Sequence, residues 1–280
     1  MTRALVVSPP AAELELAVDV LFSVGVAAVE ERDGELWTHV GDADGAIAAA
    51  VERFPATWRW RTVDVDPAVG ETWRRFAEPV SVDERLRIVP PWRDDIPAAA
   101  PGQRSLAIDP GGAFGAGDHP TTLLTLRRYL RLVDAGDVAV GHDVVDVGSG
   151  SGVLAIAAAL HGARRVEAID IHGAAVEATA ANAARNGVAD VVVASATPVG
   201  DVVGEFDVVF ANLLAPILRD LAAPLAARVA AGGWLLLSGV LAGGCESVLA
   251  ALAAVDNELG VVDVTTLDGW AVVAVRRPAS

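Results

Sequence analysis

A run of glycines flanked by carboxylates is the part of this chain most able to hold a polar ligand. In Val144-Val145-Asp146-Val147-Gly148-Ser149-Gly150-Ser151-Gly152 an apolar run ends in the pattern D-x-G-x-G-x-G, and Val153 to Leu160 follow as a helix-forming stretch. This reads as a buried strand, a glycine turn and a helix. Glycine serves where the backbone turns tightly or must approach a ligand closely, and the helix start behind it offers unpaired N–H groups. The next strand, Arg165 to Ile169, is closed by Asp170. An acid placed there can accept hydrogen bonds from a ribose diol; the competing role is to cap the following helix. Asn212 ends the apolar run from Phe206, and its amide can hydrogen-bond a ligand or simply cap the strand end.

A pyrophosphate fingerprint, G-x-G-x-x-G, would need glycine where the chain has Val153. The turn therefore looks like the variant that binds S-adenosylmethionine. That makes S-adenosylmethionine the expected cofactor, with Asp146, Gly148, Gly150 and Asp170 among its contacts and no metal site.

The elements needed to position these groups can be read along the chain. Leu5–Val7, a helix capped by Ser8, a hairpin through Arg32-Asp33-Gly34, a second helix capped by Asp44, and a strand ending at Val65 give the order β-α-β-β-α-β. That is the ferredoxin-like arrangement, expected over residues 1–66 as a recognition domain. A linker is expected over 67–95, with Trp73, Phe76 and Trp92 as apolar anchors. From 96 to 280, strands and helices alternate, with one helix from Pro216 to Ala230 and a final strand pair. This alternation predicts an α/β fold, a mostly parallel doubly wound sheet, with Asp146, Asp170 and Asn212 at the carboxyl edge where ligands bind. Just before its first strand, Gly111-Gly112-Ala113-Phe114-Gly115-Ala116-Gly117-Asp118-His119 is costly to order and is expected to act as a lid.

Composition narrows the partners. The formal charge is -16 over 280 residues, which argues against a broad nucleic-acid surface. All 21 Lys and Arg residues are Arg. A single Cys245 fits a reducing compartment, and the chain is expected to be cytoplasmic. The uncharged stretch Val229–Cys245 is broken by glycines and falls short of the roughly 20 residues that cross a bilayer, so no membrane association is expected.

Along nearly its whole length the chain resembles the ribosomal protein L-eleven lysine methyltransferase family (PrmA). The matching segments are Ile88-Val89-Pro90-Pro91-Trp92, Asp109 to Gly115, His119-Pro120-Thr121-Thr122, the glycine turn, Ala211-Asn212-Leu213-Leu214-Ala215 and Leu237 to Leu241. The resemblance implies a seven-stranded Rossmann-like methyltransferase domain behind a small ferredoxin-like α+β domain. It places cofactor contacts at Thr122, Gly148, Asp170 and Asn212. The implied activity is methylation of lysine and N-terminal amines of the ribosomal protein, free or on the ribosome, by a monomer with no direct nucleic-acid contact. Asp118, Ala116 and Ser149 depart from the family pattern, which leaves another protein lysine or a small-molecule amine as the alternative substrate.

For such chemistry the acceptor amine must lose a proton. His119 or Asp118 could receive it, or His119 could orient the loop through a backbone hydrogen bond. Phe114 could lie against the sulfonium or ammonium or pack the lid. Asn212 could bind the cofactor or the acceptor amine. His119 and Asn212 are thus the expected catalytic residues.

Overall fold

Apolar runs facing both sides of a sheet build most of this molecule. The computed structural model describes residues 2–10, 13–23, 26, 29–39, 47–48, 51–65, 74, 77–110, 115 and 117–279. The chain forms two compact units, Met1–Ala77 and Glu78–Ser280. Among the described residues, no helix is long and apolar enough to cross a membrane.

The first unit contains β1 (Thr2–Ser8), α1 (Leu14–Ser23), β2 (Val29–Arg32), β3 (Glu35–His39) and β4 (Arg59–Val65). Its strands lie in the order β2-β3-β1-β4, and every neighbouring pair is antiparallel. Period-2 alternation turns Leu5, Val7 and Leu36 to one face, where Ala17, Leu21 and Trp58 cover them. The hairpin turns through Asp33 and Gly34, both at positive φ. Ser8 does not cap a helix. It ends β1, its hydroxyl donates to Glu35 at 2.9 Å, and α1 starts only at Leu14. Asp44, Trp73 and Phe76 lie outside the described residues.

The second unit opens with β5 (Val80–Ser81), β6 (Leu86–Val89) and β7 (Arg104–Ala107), which form a three-stranded sheet in the order β5-β6-β7. Residues 78–95, read from sequence as part of a linker, therefore supply strands to this unit. Next come α2 (Pro120–Asp134), β8 (Asp143–Val147), α3 (Val153–Leu160), β9 (Arg165–Ile169), α4 (Gly173–Arg185), β10 (Val192–Ser195) and β11 (Phe206–Asn212). The chain ends with α5 (Ala215–Asp220), α6 (Ala222–Ala226), β12 (Val229–Leu241), α7 (Cys245–Val255), β13 (Gly260–Leu267) and β14 (Trp270–Arg276).

The large sheet has seven strands in the order β10-β9-β8-β11-β12-β14-β13. β10 through β12 are parallel, and β14 and β13 add antiparallel pairings at one side. Val144, Val208, Phe210 and Leu236 belong to one core with residues of α2 and α3. Val145, Val209, Leu235 and Leu237 belong to the other, with residues of α5, α6 and α7. Because both faces are covered, the central strands β11 and β12 carry near-continuous apolar runs, Val208–Ala211 and Trp234–Leu237, rather than alternating ones.

The helix expected over 216–230 is instead two short ones that meet at Leu221. Pro224 has no N–H to donate and disrupts a helix interior. It is tolerated in the first turn of α6, where that N–H has no partner within the helix. Val229 then already pairs in the sheet, opposite Phe206.

Candidate active site

β8 ends at Val147, and the backbone then takes left-handed values at Gly148 (φ 76°), Gly150 (φ 54°) and Gly152 (φ 80°). A side chain at Gly148 would also have no room, because a Cβ there would come within 2.4 Å of Leu213 Cδ2. The turn is stitched to the neighbouring strand end. Gly148 and Ser149 donate their N–H groups to the Ile169 carbonyl at 2.8 and 3.0 Å, and Gly150 N–H donates to Asp170 Oδ2 at 3.0 Å. The other Asp170 oxygen accepts from His172 N–H at 2.9 Å, just before α4. Asp170 thus joins the turn to the start of that helix, and its half-buried carboxylate stays at the ligand edge of the sheet.

Asp146 is 1 % exposed. Its Oδ2 accepts from Ala155 N–H at 3.1 Å, while Oδ1 is buried with no hydrogen-bond partner. Burial pushes its carboxyl up to about 7; the Ala155 N–H pulls it back, and the nearby Asp170 adds to the rise. Asn212 closes β11 opposite Ser238 of β12, next to Ala211, which is paired with Val147 of β8. The structure therefore brings Asp146, Gly148, Gly150, Asp170 and Asn212 to the carboxyl ends of three adjacent strands.

His119 caps α2. Its Nδ1 accepts from Thr121 N–H at 3.3 Å and lies 2.8 Å from Thr121 Oγ1, and its ring meets Trp270 edge-on with centroids 5.0 Å apart. Burial lowers its pKa below the ordinary histidine value, opposed only in part by Asp118, which favours the neutral ring. Thr122 is buried at the start of the same helix. That start is tied to the sheet by Ser238 Oγ, which lies 3.4 Å from the Thr121 carbonyl. Asp118 is exposed. Phe114 lies outside the described residues, but the loop's Gly115 carbonyl accepts from Ser151 Oγ at 2.6 Å, which places that part of the loop on the glycine turn.

Several polar groups here went unread in the sequence. Thr179 Oγ1 on α4 donates to the Gly150 carbonyl at 3.1 Å. Asn182 on the same helix and Asn186 at its C-cap bond the backbone of Asp109 and Ala107. Their four-residue spacing was the available signal, masked because Asn-Gly is also an ordinary helix stop. The cavity of about 340 Å³ lined by Asp137, His142, Arg164 and Asp207 lies at the amino ends of the strands, on the opposite edge, and shares none of these groups.

Comparison with known proteins matches this architecture. The family described as Ribosomal protein L11 methyltransferase (PrmA) matches residues 21–278. A ribosomal protein L11 methyltransferase of Citrifermentans bemidjiense is 44% identical over 207 residues, covering 74% of this chain and 66% of its own. One from Symbiobacterium thermophilum is 39% identical over 251 residues, 89% of this chain and 77% of its own. A crystal structure of a ribosomal protein L11 methylase from Lactobacillus delbrueckii subsp. bulgaricus superposes with a TM-score of 0.64 at 33% identity, over 72% of this chain and all of that one. The fold and these comparisons together define a Rossmann-like methyltransferase. Within that class, the chain belongs to the ribosomal protein L11 methyltransferase family.

Two outcomes follow from the turn and the buried acid. Gly148→Ala should lower stability by more than the roughly 1–2 kcal/mol that a left-handed non-glycine residue costs. Combining it with Leu213→Ala should recover the excess, read as the coupling energy of a urea-denaturation double-mutant cycle. For Asp146 the folded pKa lies above the unfolded value of 3.8, so the folded state holds the proton longer. Its stabilising contribution is full below about pH 4 and lost as pH rises towards 7. Asp146→Asn should remove that part of the slope, and parallel slopes in both proteins between pH 4 and 7 would show that Asp146 does not titrate there.

Proposed function

We propose that this chain is an S-adenosylmethionine-dependent methyltransferase that modifies lysine and N-terminal amines of ribosomal protein L11. The observation that carries the reading is the Gly148–Gly152 turn bonded to Asp170 through Gly150 N–H, with one Asp146 oxygen buried and unpaired beside it. A buried carboxylate oxygen without a partner is costly, and a cationic ligand group would relieve it. The names carried by the relatives support L11 as the substrate, and that substrate supports a cytoplasmic setting.

The residues present suit S-adenosylmethionine. Asp170 would take the ribose hydroxyls, the turn would admit the ligand close to the backbone, and Asp146 would face its amino group. Asn212 would hold the cofactor or the incoming amine, and Thr122 would line the side formed by α2. Phe114 would cover the ligand from the loop. When bound, S-adenosylmethionine supplies a methyl group on a positively charged sulfur.

What this chain must do is present a neutral amine in a dry site. A free lysine has a pKa of about 10.4, and burial lowers it by disfavouring the charged form. Since the neutral His119 ring accepts the Thr121 N–H at Nδ1, its own proton sits on Nε2, and it can take a further proton only at Nδ1 by giving up the helix cap. Most of the rate would then come from holding amine and methyl donor in register.

The strand order β2-β3-β1-β4 supports a ferredoxin-like reading of the first unit, and we assign it to substrate recognition ahead of the 96–280 methyltransferase domain.

Mass spectrometry of L11 from the same source, after incubation with the protein and S-adenosylmethionine, should show gains in whole methyl steps. Asp170→Ala should abolish them. Cofactor binding without any change in L11 would overturn the substrate and direct the search to other amines.

A further inference from the structure

β7 is paired with β6 on one side only, through Arg104 N–H to the Arg85 carbonyl at 2.6 Å and Ile108 N–H to the Val89 carbonyl at 3.1 Å. Among the described residues no strand pairs with its other side. The backbone of Ala107 is met by Asn186, the C-cap of α4: Oδ1 accepts the Ala107 N–H at 2.9 Å, and Nδ2 donates to the Ala107 carbonyl at 2.8 Å. Asn182 treats Asp109 in the same way, accepting its N–H at 3.1 Å and donating to its carbonyl at 2.8 Å.

The geometry fits for a simple reason. Residues four apart on a helix are separated by about 6 Å along its axis, and residues two apart on an extended chain by about 6.6 Å. Two asparagines at i and i+4 therefore match two successive outward-facing peptide groups of a strand. They act as a neighbouring strand made of side chains.

Asn182 reaches further. Its Nδ2 also donates to the Ser151 carbonyl at 2.9 Å, inside the glycine turn, and its Oδ1 also accepts from the Arg185 guanidinium. The side chain is fully buried, with donors and acceptor all engaged. Ser151 in turn donates from its hydroxyl to Gly115 of the loop that follows Asp109. One amide thus links the base of the glycine-rich loop to the cofactor turn.

We propose that Asn182 and Asn186 are positioning residues for the cofactor site, fixing where the loop beginning after Asp109 starts relative to the Gly148–Gly152 turn. This rests on the methyltransferase reading above. Their roles differ: Asn186 holds the loop base alone, whereas Asn182 holds loop base and turn together.

The test compares Asn186→Ala and Asn182→Ala with Val248→Ala, a buried substitution in α7 chosen for a comparable loss of Tm. Three quantities are read in the full-length protein: amide exchange, the Kd for S-adenosylhomocysteine, and kcat for methylation of L11. Asn186→Ala should expose the Ala107 amide while Ile108 stays protected, lower kcat at least fivefold and leave Kd within twofold. Asn182→Ala should expose Asp109 and raise Kd at least fivefold. Val248→Ala should do none of these. If both asparagine variants lose Tm like the control but keep Kd and kcat, the pair is only structural and the proposal fails. If Asn182→Ala does not fold, Asn186→Ala decides alone. A wild type that binds S-adenosylhomocysteine yet methylates nothing sinks the functional reading, and the Asn182→Ala Kd still decides the positioning one. A wild type that binds no cofactor overturns both.

Discussion

Gly150 donates its N–H to the Asp170 carboxylate at 3.0 Å, and this bond joins the ends of β8 and β9 at the edge where a ligand must approach. It forms only because the turn enters the left-handed region at Gly148, Gly150 and Gly152, which swings the Gly150 N–H towards the neighbouring strand end. The geometry spreads outward from there. Leu213 fills the space that a side chain at Gly148 would need. Thr179 sits where one at Gly152 would reach, with 2.9 Å between that Cβ and Thr179 Cγ2. Turn, β11 exit and α4 are therefore packed at a spacing that admits no larger residue.

Within this frame Asp146 is costly, with one oxygen bonded to Ala155 N–H and the other buried without a partner. A buried carboxylate with one satisfied oxygen is less favourable than an apolar residue or an asparagine of the same shape. Its neighbours on the same core face are Val144, Val208 and Phe210, none of which can offer it a donor. Such a group is retained where a ligand completes its bonding, and pKa values displaced by burial gather at such sites. His119 illustrates the opposite economy. Its Nδ1 closes the N-terminus of α2, so its first contribution is to hold Thr121 and Thr122 in place.

The parallel sheet was legible because strands such as β11 and β12 carry apolar runs, Val208–Ala211 and Trp234–Leu237, and the glycine turn because glycine spacing constrains backbone geometry directly. Asp146, Asp170 and Asn212 came out at one edge because acids and amides that end apolar runs have few other places to be. Other features stayed hidden for physical reasons. Pro224 restarts a helix rather than riding within one, and a helix-forming alanine background masked the break. Strands β5 and β6 are short, two to four residues, and lie outside the main sheet, so they fell within the linker expected over 67–95. The polar stripe on α4 was hidden by the usual rule that a helix buries apolar residues.

In that stripe Thr179, Asn182 and Asn186 follow the three-then-four spacing that marks one helix face. Leucines there would bury more apolar area, and they would hold a passing segment with little preference for its register. Amide side chains behave differently. Ala107 and Asp109 turn their peptide groups to α4, while Ile108 turns its own to Val89. Sliding the segment by one residue would face Asn182 and Asn186 with the wrong peptide groups and leave Asn182, fully buried, with unmet donors. Each such loss costs about 1–3 kcal/mol, more than the roughly 1 kcal/mol that a made bond contributes. The selectivity of the contact thus exceeds its strength, which suits a joint whose task is to place a glycine-rich loop that cannot place itself.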